Sequence, residues 1–107
     1  MGTRHGHRYE LLAAAKGAQR RVQPFLVTLT EQRETFPLFQ HDGVEFLYGL
    51  EGSFVYRYGR QTYEMKPGDS LMFDGHVAHG PEALEVLPAR FLSITVELDA
   101  EERDKDR

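Results

Sequence analysis

Short apolar runs separated by turn signals at regular intervals restrict the fold of this chain more than any other feature. The turn signals pair glycine with an acidic, basic or proline residue, as in Asp42-Gly43, Glu51-Gly52, Gly59-Arg60, Pro67-Gly68 and Asp74-Gly75. The runs between them are rich in aromatic and β-branched residues, and no convincing helical pattern separates them. The sequence therefore predicts about eight or nine short strands in an all-β sandwich or barrel of the jelly-roll kind.

The strand pattern also predicts a partner subunit. The clearest strand, Arg90–Leu98, has Leu92, Ile94, Val96 and Leu98 on one face and Ser93, Thr95 and Glu97 on the other. Other predicted strands, notably the runs FLYGL and SLMF, are apolar on both faces. A sheet with two apolar faces needs cover on its outer side, and a second copy of the chain is the economical cover. We therefore predict a homodimer.

A single domain is predicted for residues 9–98, because a chain of 107 residues is long enough to bury one hydrophobic core. Residues 1–8 are polar and are predicted to form a flexible tail. His5 and His7 form a His-x-His pair there, which fits either a metal pair or a mobile terminus, and the composition favours the terminus. Residues 99–107 are almost all charged, which predicts a second, solvated tail.

Composition excludes several classes of function. The chain has no cysteine, which excludes disulfides, thiolate metal sites and cysteine nucleophiles. Its formal charge is −4, and without a basic face we expect no direct binding of nucleic acid. No apolar run approaches the ~20 residues that span a bilayer, and the first residues lack an apolar signal core. We therefore expect no membrane association, a cytoplasmic location and no organic cofactor.

Three polar residues at predicted strand ends are candidates for a metal site. His41 ends one strand and Glu45 begins the next, so neighbouring antiparallel strands can bring the imidazole and the carboxylate close together. His79 comes much later, and a rolled sheet can return it to the same place. Two imidazoles and one carboxylate can hold a divalent first-row metal with open positions, and zinc accepts the same set. Each residue also fits a structural role at a strand end or turn, and His76 fits a solvent-facing loop.

The same residues carry a resemblance to a known family. The run HDGVEFLYGLEG resembles the first cupin motif, in which a metal-binding histidine is followed at fixed spacing by a glutamate and a glycine, here His41, Glu45 and Gly52. The run from Gly68 to His79 resembles the second cupin motif, which opens with Gly-Asp and closes on a histidine. The resemblance implies a cupin-type double-stranded β-helix, a jelly-roll barrel, in which His41, Glu45 and His79 bind a divalent metal (Fe, Mn, Ni or Zn).

The sequence departs from the family pattern at several positions. Phe39 replaces the first histidine of the motif's His-x-His, which removes one of the four usual protein ligands. Arg33 stands where a glycine is expected ahead of it, and Asp74, His76 and Ala83 replace a proline, a glycine and an asparagine of the second motif. The truncated set fits either a metal site or a polar anchor for a small acid or amide.

A binding module is the first predicted function. The chain is similar to the C-terminal cupin domains of bacterial helix-turn-helix transcriptional regulators, which implies a ligand-sensing domain that reaches DNA only through a separate domain. It would be either the sensor part of a longer protein or a stand-alone relative. The barrel interior, lined by Phe39, Leu47, Met72, Phe73 and Phe91, would enclose one small-molecule ligand.

A small metal-dependent cupin enzyme, such as a dioxygenase, isomerase or lyase, is the alternative. Such an enzyme needs a general acid or base near the metal. Tyr48, Tyr56, Tyr63 and Asp74 are candidates by residue type, and their spacing selects none of them. A third alternative is a structural dimerisation unit whose pocket is filled by aromatic packing around Phe39.

Overall fold

The structure of the chain is a computed structural model that describes residues 2–4, 7–13, 21–32 and 36–97. All of its regular elements are antiparallel strands, and within the described residues there is no helix, hence none long and apolar enough to cross a membrane. The strands are β1 (Gly2–Arg4), β2 (His7–Leu11), β3 (Arg21–Leu29), β4 (Val44–Tyr58), β5 (Gln61–Met65), β6 (Ser70–Asp74) and β7 (His79–Glu97). The predicted all-β jelly roll is confirmed.

Two long strands form the frame of the barrel. The sheet runs in the order β1-β2-β3-β7-β4-β5, and β6 pairs with the first half of β4. The first half of β4 pairs with the end of β7, and its second half pairs with the start of β7. One long antiparallel ribbon, flanked by β3 and β6 at one end and by β5 at the other, therefore rolls up around a common interior.

A bulge in β4 stands where the sequence predicts a turn. Glu51-Gly52 does not reverse the chain: β4 continues through it, and the pairing with β7 shifts register between Gly49 and Ser53. Gly52 has a φ of 69°, which a residue with a side chain rarely adopts. Bulges of this kind bend a strand and increase its twist, so the two halves of β4 lie in the two halves of the barrel.

The N-terminal residues differ from the prediction of a flexible tail. Residues 2–4 pair with β2, and β2 pairs with β3 from His7 to Leu11. His7 is buried, and its ring stacks on Phe36 with 5.4 Å between the ring centroids. The prediction is wrong for these residues because pairing with β3 supplies the backbone partners that an isolated polar terminus lacks. His5 and residues 99–107 lie outside the described residues, so the predictions for them stand untested.

The hydrophobic core occupies one end of the barrel and leaves the other end open. Leu29 and Ala89 are fully buried and pair directly with each other on the inner faces of β3 and β7. Further along these strands Phe25 pairs with Ser93, and Ser93 pairs with the buried Leu47 of β4, two residues from Glu45. The interior therefore changes from a packed apolar core to a cavity with polar groups within one barrel.

The apolar row predicted in β7 faces outward. Since side chains alternate along a strand, the buried Phe91 and Ser93 place Leu92 and Ile94 on the opposite face. This outer apolar face continues across the sheet through register partners on β3, β4 and β6, which are Val22, Pro24, Leu26, Val44, Phe46, Tyr48 and Met72.

Candidate metal centre

The backbone around the barrel opening brings His41, Glu45 and His79 together. Phe39 and His79 form an isolated bridge, in which the Phe39 amide donates to the His79 carbonyl at 2.7 Å and the His79 amide donates back at 3.0 Å. The His41 amide donates to the Gly75 carbonyl at 2.9 Å. These bonds fix the segment before β4 against the start of β7, and the three potential ligand atoms lie within 4.8 Å of one another.

Glu45 is the centre of the group. Its Oε1 lies 2.8 Å from His41 Nε2 and 3.1 Å from His79 Nε2. Its Oε2 accepts a hydrogen bond from the Ser93 hydroxyl at 2.8 Å. Glu45 and His79 are buried, and His41 is only partly exposed. Ser93 therefore holds the carboxylate in place from behind while the other oxygen faces both imidazoles.

Both imidazoles are held in the same orientation by backbone carbonyls. His41 Nδ1 lies 2.9 Å from the Asp42 carbonyl oxygen, and His79 Nδ1 lies 2.8 Å from the Val77 carbonyl oxygen. A carbonyl oxygen can only accept, so each Nδ1 carries the hydrogen. In the neutral ring each Nε2 is then an unprotonated donor atom, as in histidines that bind metals. The two rings and the carboxylate thus direct three electron pairs at one region.

The surroundings favour the charged form of both acid and base. Burial by itself lowers the pKa of His41, but the hydrogen bond to the Asp42 carbonyl and the pairing with Glu45 outweigh it, and the pKa lies above its ordinary value. Burial by itself raises the pKa of Glu45, but hydrogen bonds from His79, His41 and Ser93 hold it below its ordinary value. The negative charge of Glu45 therefore favours a positive charge beside it, such as a proton on His41.

Gly75 is required by the position of the His41 ring. A Cβ at residue 75 would meet Cε1 and Nδ1 of His41 and would lie 2.8 Å from the His41 carbonyl oxygen. We expect Gly75→Ala to turn the His41 ring away from Glu45, and the pKa of His41 to fall because it loses that partner. An NMR titration of the His41 ring protons measures this. Unchanged titration of His41 in the variant would contradict the packing described.

An apolar cavity of about 390 Å³ opens above the three residues. Its wall consists mainly of aromatic and aliphatic side chains, and the full lining is Tyr9, Phe25, Val27, Phe39, His41, Glu45, Tyr56, His79, Pro81, Phe91, Ser93 and Thr95. The volume is at the lower end of the range for small-molecule sites. The polar groups of the candidate metal centre lie on one side of a mostly apolar chamber.

Of the five residues predicted to line the pocket, Phe39 and Phe91 do so. The prediction is wrong for the other three. Met72 is 67% exposed on the outer face, because its neighbour Phe73 faces inward and adjacent strand residues face opposite ways. Leu47 and Phe73 face inward but are packed into the core and are not among the lining residues.

Sequence reasoning missed Ser93 as a partner of the carboxylate. Ser93 lies on the polar face of β7. The sequence analysis gave weight only to the apolar face of this strand, although a polar row beside a metal site is a usable signal.

Among the candidates for an acid or base, Tyr56 lines the cavity, whereas Tyr48, Tyr63 and Asp74 are exposed elsewhere. Burial raises the pKa of Tyr56 above its ordinary value. His76 is exposed as predicted, 2.8 Å from Asp42 Oδ1.

Comparison with known families gives one match that covers most of the chain. The model of the family described as Cupin domain matches residues 25–95. The matched region contains His41, Glu45 and His79. No curated protein matches the chain significantly.

Solved structures share the fold. A cupin superfamily protein from Desulfitobacterium hafniense is 21% identical with a TM-score of 0.72, over 92% of this chain and 84% of that one. Fe(II)-HppE with an alternative substrate is 23% identical with a TM-score of 0.72, over 88% and 53% of the two chains. An HTH_3 family transcriptional regulator from Vibrio cholerae is 22% identical with a TM-score of 0.69, over 88% and 52%. At these identities the likeness shows the fold, and this chain spans about half of the last two proteins.

Proposed function

The chain belongs to the cupin domain family, and on that premise we propose that it is a small-molecule-binding domain in which His41, Glu45 and His79 hold a divalent metal beside the cavity. The proposal combines the two parts of the site. The cavity supplies an apolar space that opens to solvent, and the three side chains supply nitrogen and oxygen ligands at its edge. Two imidazoles and one carboxylate suit Fe(II), Mn(II), Ni(II) or Zn(II).

The convergence of both Nε2 atoms on Glu45 Oε1 carries the proposal. Each Nδ1 is committed to a backbone carbonyl, so a neutral ring offers only its Nε2 lone pair to the carboxylate. Without a metal, each of the contacts of 2.8 and 3.1 Å needs a proton between a ring nitrogen and the carboxylate, and both protons would crowd around one buried oxygen. A divalent cation satisfies all three atoms with neutral imidazoles. The donor set therefore fits the metal that the family resemblance implies.

A sensor role is the form of binding that we favour. The chain is similar to the cupin domains of helix-turn-helix regulators, and the matched structures include an HTH_3 family regulator. In that role, a ligand bound beside the metal shifts the protein between two arrangements by the difference in its affinity for them.

Metal-dependent catalysis is the second candidate, and Tyr56 is the observation in its favour. Tyr56 lines the cavity, and its ring lies 6.4 Å from that of His79, centroid to centroid. A metal held by the three residues would supply Lewis acidity or redox chemistry. Tyr56 would then offer a hydroxyl proton to a substrate beside it. Fe(II)-HppE with an alternative substrate is among the matched structures.

Metal affinity is expected to depend on pH because metal and proton compete for His41 Nε2. The pKa of His41 lies above 6.5, so affinity should rise as pH increases through that pKa and fall below it. Glu45 stays ionised over the same range because its pKa lies below 4.5. Calorimetric titration of zinc into the chelator-treated full chain between pH 5.5 and 8.5 measures this. Absence of stoichiometric binding at pH 8 would overturn the proposed function.

A homodimer through the outer apolar face remains our proposal for the assembly. Ile94, Phe46 and Met72 form one row across that face, and Met72 is 67% exposed. We expect Met72→Glu to abolish the dimer without unfolding the chain, because a charge at the centre of an apolar interface is left unpaired. Analytical ultracentrifugation measures the mass.

The matched control for the dimer is Val86→Glu. Val86 is 57% exposed and lies on the other half of β7, opposite Ser53, so a glutamate there is outside the row of Ile94, Phe46 and Met72. The control variant should sediment as the native chain does. A native chain that is monomeric at 100 µM, or a dimer that survives Met72→Glu, would contradict the interface.

A further inference from the structure

We propose that His76 is a positioning residue: it holds Asp42 so that the Asp42 carbonyl keeps the His41 ring turned towards Glu45. The proposal rests on the proposed function for its effect on zinc, but the orientation of the ring can be tested without a metal. His76 stands where the second cupin motif carries a glycine, so the contact depends on a side chain particular to this sequence. His76 acts on the site through Asp42 and not as a ligand.

The local sequence restrains the Asp42 carbonyl only weakly. His41 Nδ1 lies 2.9 Å from this carbonyl oxygen, so the oxygen keeps the hydrogen on Nδ1 and leaves Nε2 free to face Glu45. Asp42 is exposed and is followed by Gly43, which has a φ of 95°. A peptide beside such a glycine meets little steric resistance when it rotates. Rotation of the peptide between Asp42 and Gly43 would take the acceptor away from His41.

Three contacts with the turn after β6 hold that peptide in place. The His41 amide donates to the Gly75 carbonyl at 2.9 Å, and the Gly75 amide donates to the Gly43 carbonyl at 2.8 Å. These two bonds fix the backbone on either side of Asp42. The third contact is made by His76, whose Nε2 lies 2.8 Å from Asp42 Oδ1. A carboxylate oxygen only accepts, so His76 Nε2 donates and holds Asp42 between the two fixed points.

His76 is itself fixed from two sides. Its amide donates to Asp74 Oδ1 at 2.9 Å, and Gln40 Nε2 donates to its carbonyl at 2.8 Å. A pair with an anchored backbone loses less freedom on forming than two mobile side chains do. The side chains of His76 and Asp42 are 60% and 56% exposed, and exposed pairs contribute modestly. We therefore expect effects of severalfold on zinc affinity, smaller than those of the ligands themselves.

Release of the Asp42 carboxylate also introduces a competitor. Aspartate side chains in turns accept hydrogen bonds from nearby backbone amides and so compete with the existing backbone partners. While His76 occupies Oδ1, this carboxylate is directed away from its own turn. His76 therefore both holds the peptide that orients His41 and restrains the side chain that could disturb it.

Two variants separate the donor of His76 from the bulk of its ring. His76→Phe keeps an aromatic ring but cannot donate to Asp42, whereas the side-chain amide of His76→Gln can. Calorimetric titration of zinc into the chelator-treated full chain at pH 8 measures both. We expect His76→Phe to weaken zinc about threefold to fivefold and His76→Gln to stay within about twofold of the native chain. Equal losses in the two variants, or no loss in His76→Phe, would overturn the proposal.

A double-mutant cycle tests whether the effect passes through Asp42. Adding His76→Phe to Asp42→Ala should cause no further loss of zinc affinity, because the partner of His76 is already gone. Adding it to Ser93→Ala should cost the full factor, because Ser93 orients Glu45 by a separate contact. Losses of equal size in both backgrounds would mean general damage to the turn and would overturn the positioning role.

The orientation of the His41 ring is measured without metal. A Cβ at residue 75 would meet Cε1 of this ring, so a Gly75 α-proton lies close to His41 Hε1. The NOE between these protons should be strong in the native chain and in His76→Gln, and clearly weaker in His76→Phe. An unchanged NOE in His76→Phe would overturn the proposal and leave the proposed function standing. If the native chain binds no zinc, the proposed function fails, and the NOE still decides the role of His76.

Discussion

Glu45→Gln is expected to lower the affinity for zinc by at least about 100-fold, the largest loss from any isosteric change in the site. The amide keeps the size of the side chain and can still accept from Ser93, but it removes the negative charge between two imidazoles. A metal ligand contributes more than the outer partners that orient it, whose loss costs about 10- to 100-fold. Calorimetric titration of zinc at pH 8 into native and variant chains measures the ratio.

Ser93→Ala and Glu82→Gln are the comparison variants for Glu45→Gln, the first with a smaller expected loss of zinc affinity and the second with none. Ser93 orients Glu45 without reaching the metal position, so its loss should weaken zinc about tenfold. Glu82 accepts from Arg57 Nε at 2.8 Å, outside the candidate metal centre, and Glu82→Gln should leave zinc affinity unchanged. If Glu45→Gln binds zinc within threefold of the native chain, the carboxylate is not a ligand.

The sequence predicted the grouping of His41, Glu45 and His79 because backbone geometry determines it. Turn residues and strand alternation decide where a chain reverses and which way its side chains point, and both are local properties. The resemblance to the cupin motifs supplied the long-range part, the return of His79 to the first motif. The structure brings the three side chains together as predicted. Their binding of a metal remains a prediction.

The cavity wall was harder to predict because it depends on which face of each strand is inside. Met72 and Phe73 were both assigned to the pocket although adjacent strand residues face opposite ways. In β7, the apolar row of Leu92 and Ile94 faces outward, and Ser93 faces the site. An apolar row marks the core of an isolated barrel, but a chain with a second apolar surface carries such a row outside as well.

The local sequence pattern also failed to predict that β4 continues through Glu51-Gly52. A glycine after a charged residue favours a turn, and the same glycine with positive φ also suits a bulge. The choice between them depends on the partner strand. Here β7 pairs with β4 on both sides of Gly52, so the chain continues instead of reversing. That pairing is long-range and cannot be recognised from the neighbours of Gly52 in sequence.

Gly52→Ala is expected to destabilise the fold by about 3 kcal/mol or more, because alanine is unfavourable at this position for two independent reasons. The φ of 69° is unfavourable for alanine. A Cβ at this position would also meet the backbone oxygens of Val86 and Pro88 and would lie 2.9 Å from the Ala89 Cα. Backbone atoms cannot rotate away as a side chain can, so β4 and β7 must separate locally. Urea denaturation of the chelator-treated chain measures the free energy of unfolding.

Gly68→Ala separates the two causes. Gly68 has a φ of 90°, but a Cβ there would meet nothing within 4 Å, so alanine brings only the conformational cost of about 1–2 kcal/mol. The difference between the two variants is therefore the cost of contact between β4 and β7 at the bulge. Since the bulge joins the half of β4 that carries Glu45 to the half that carries Tyr56, Gly52→Ala should also weaken zinc binding. Equal destabilisation by the two substitutions would mean that β7 does not approach β4 as closely as the structure has it.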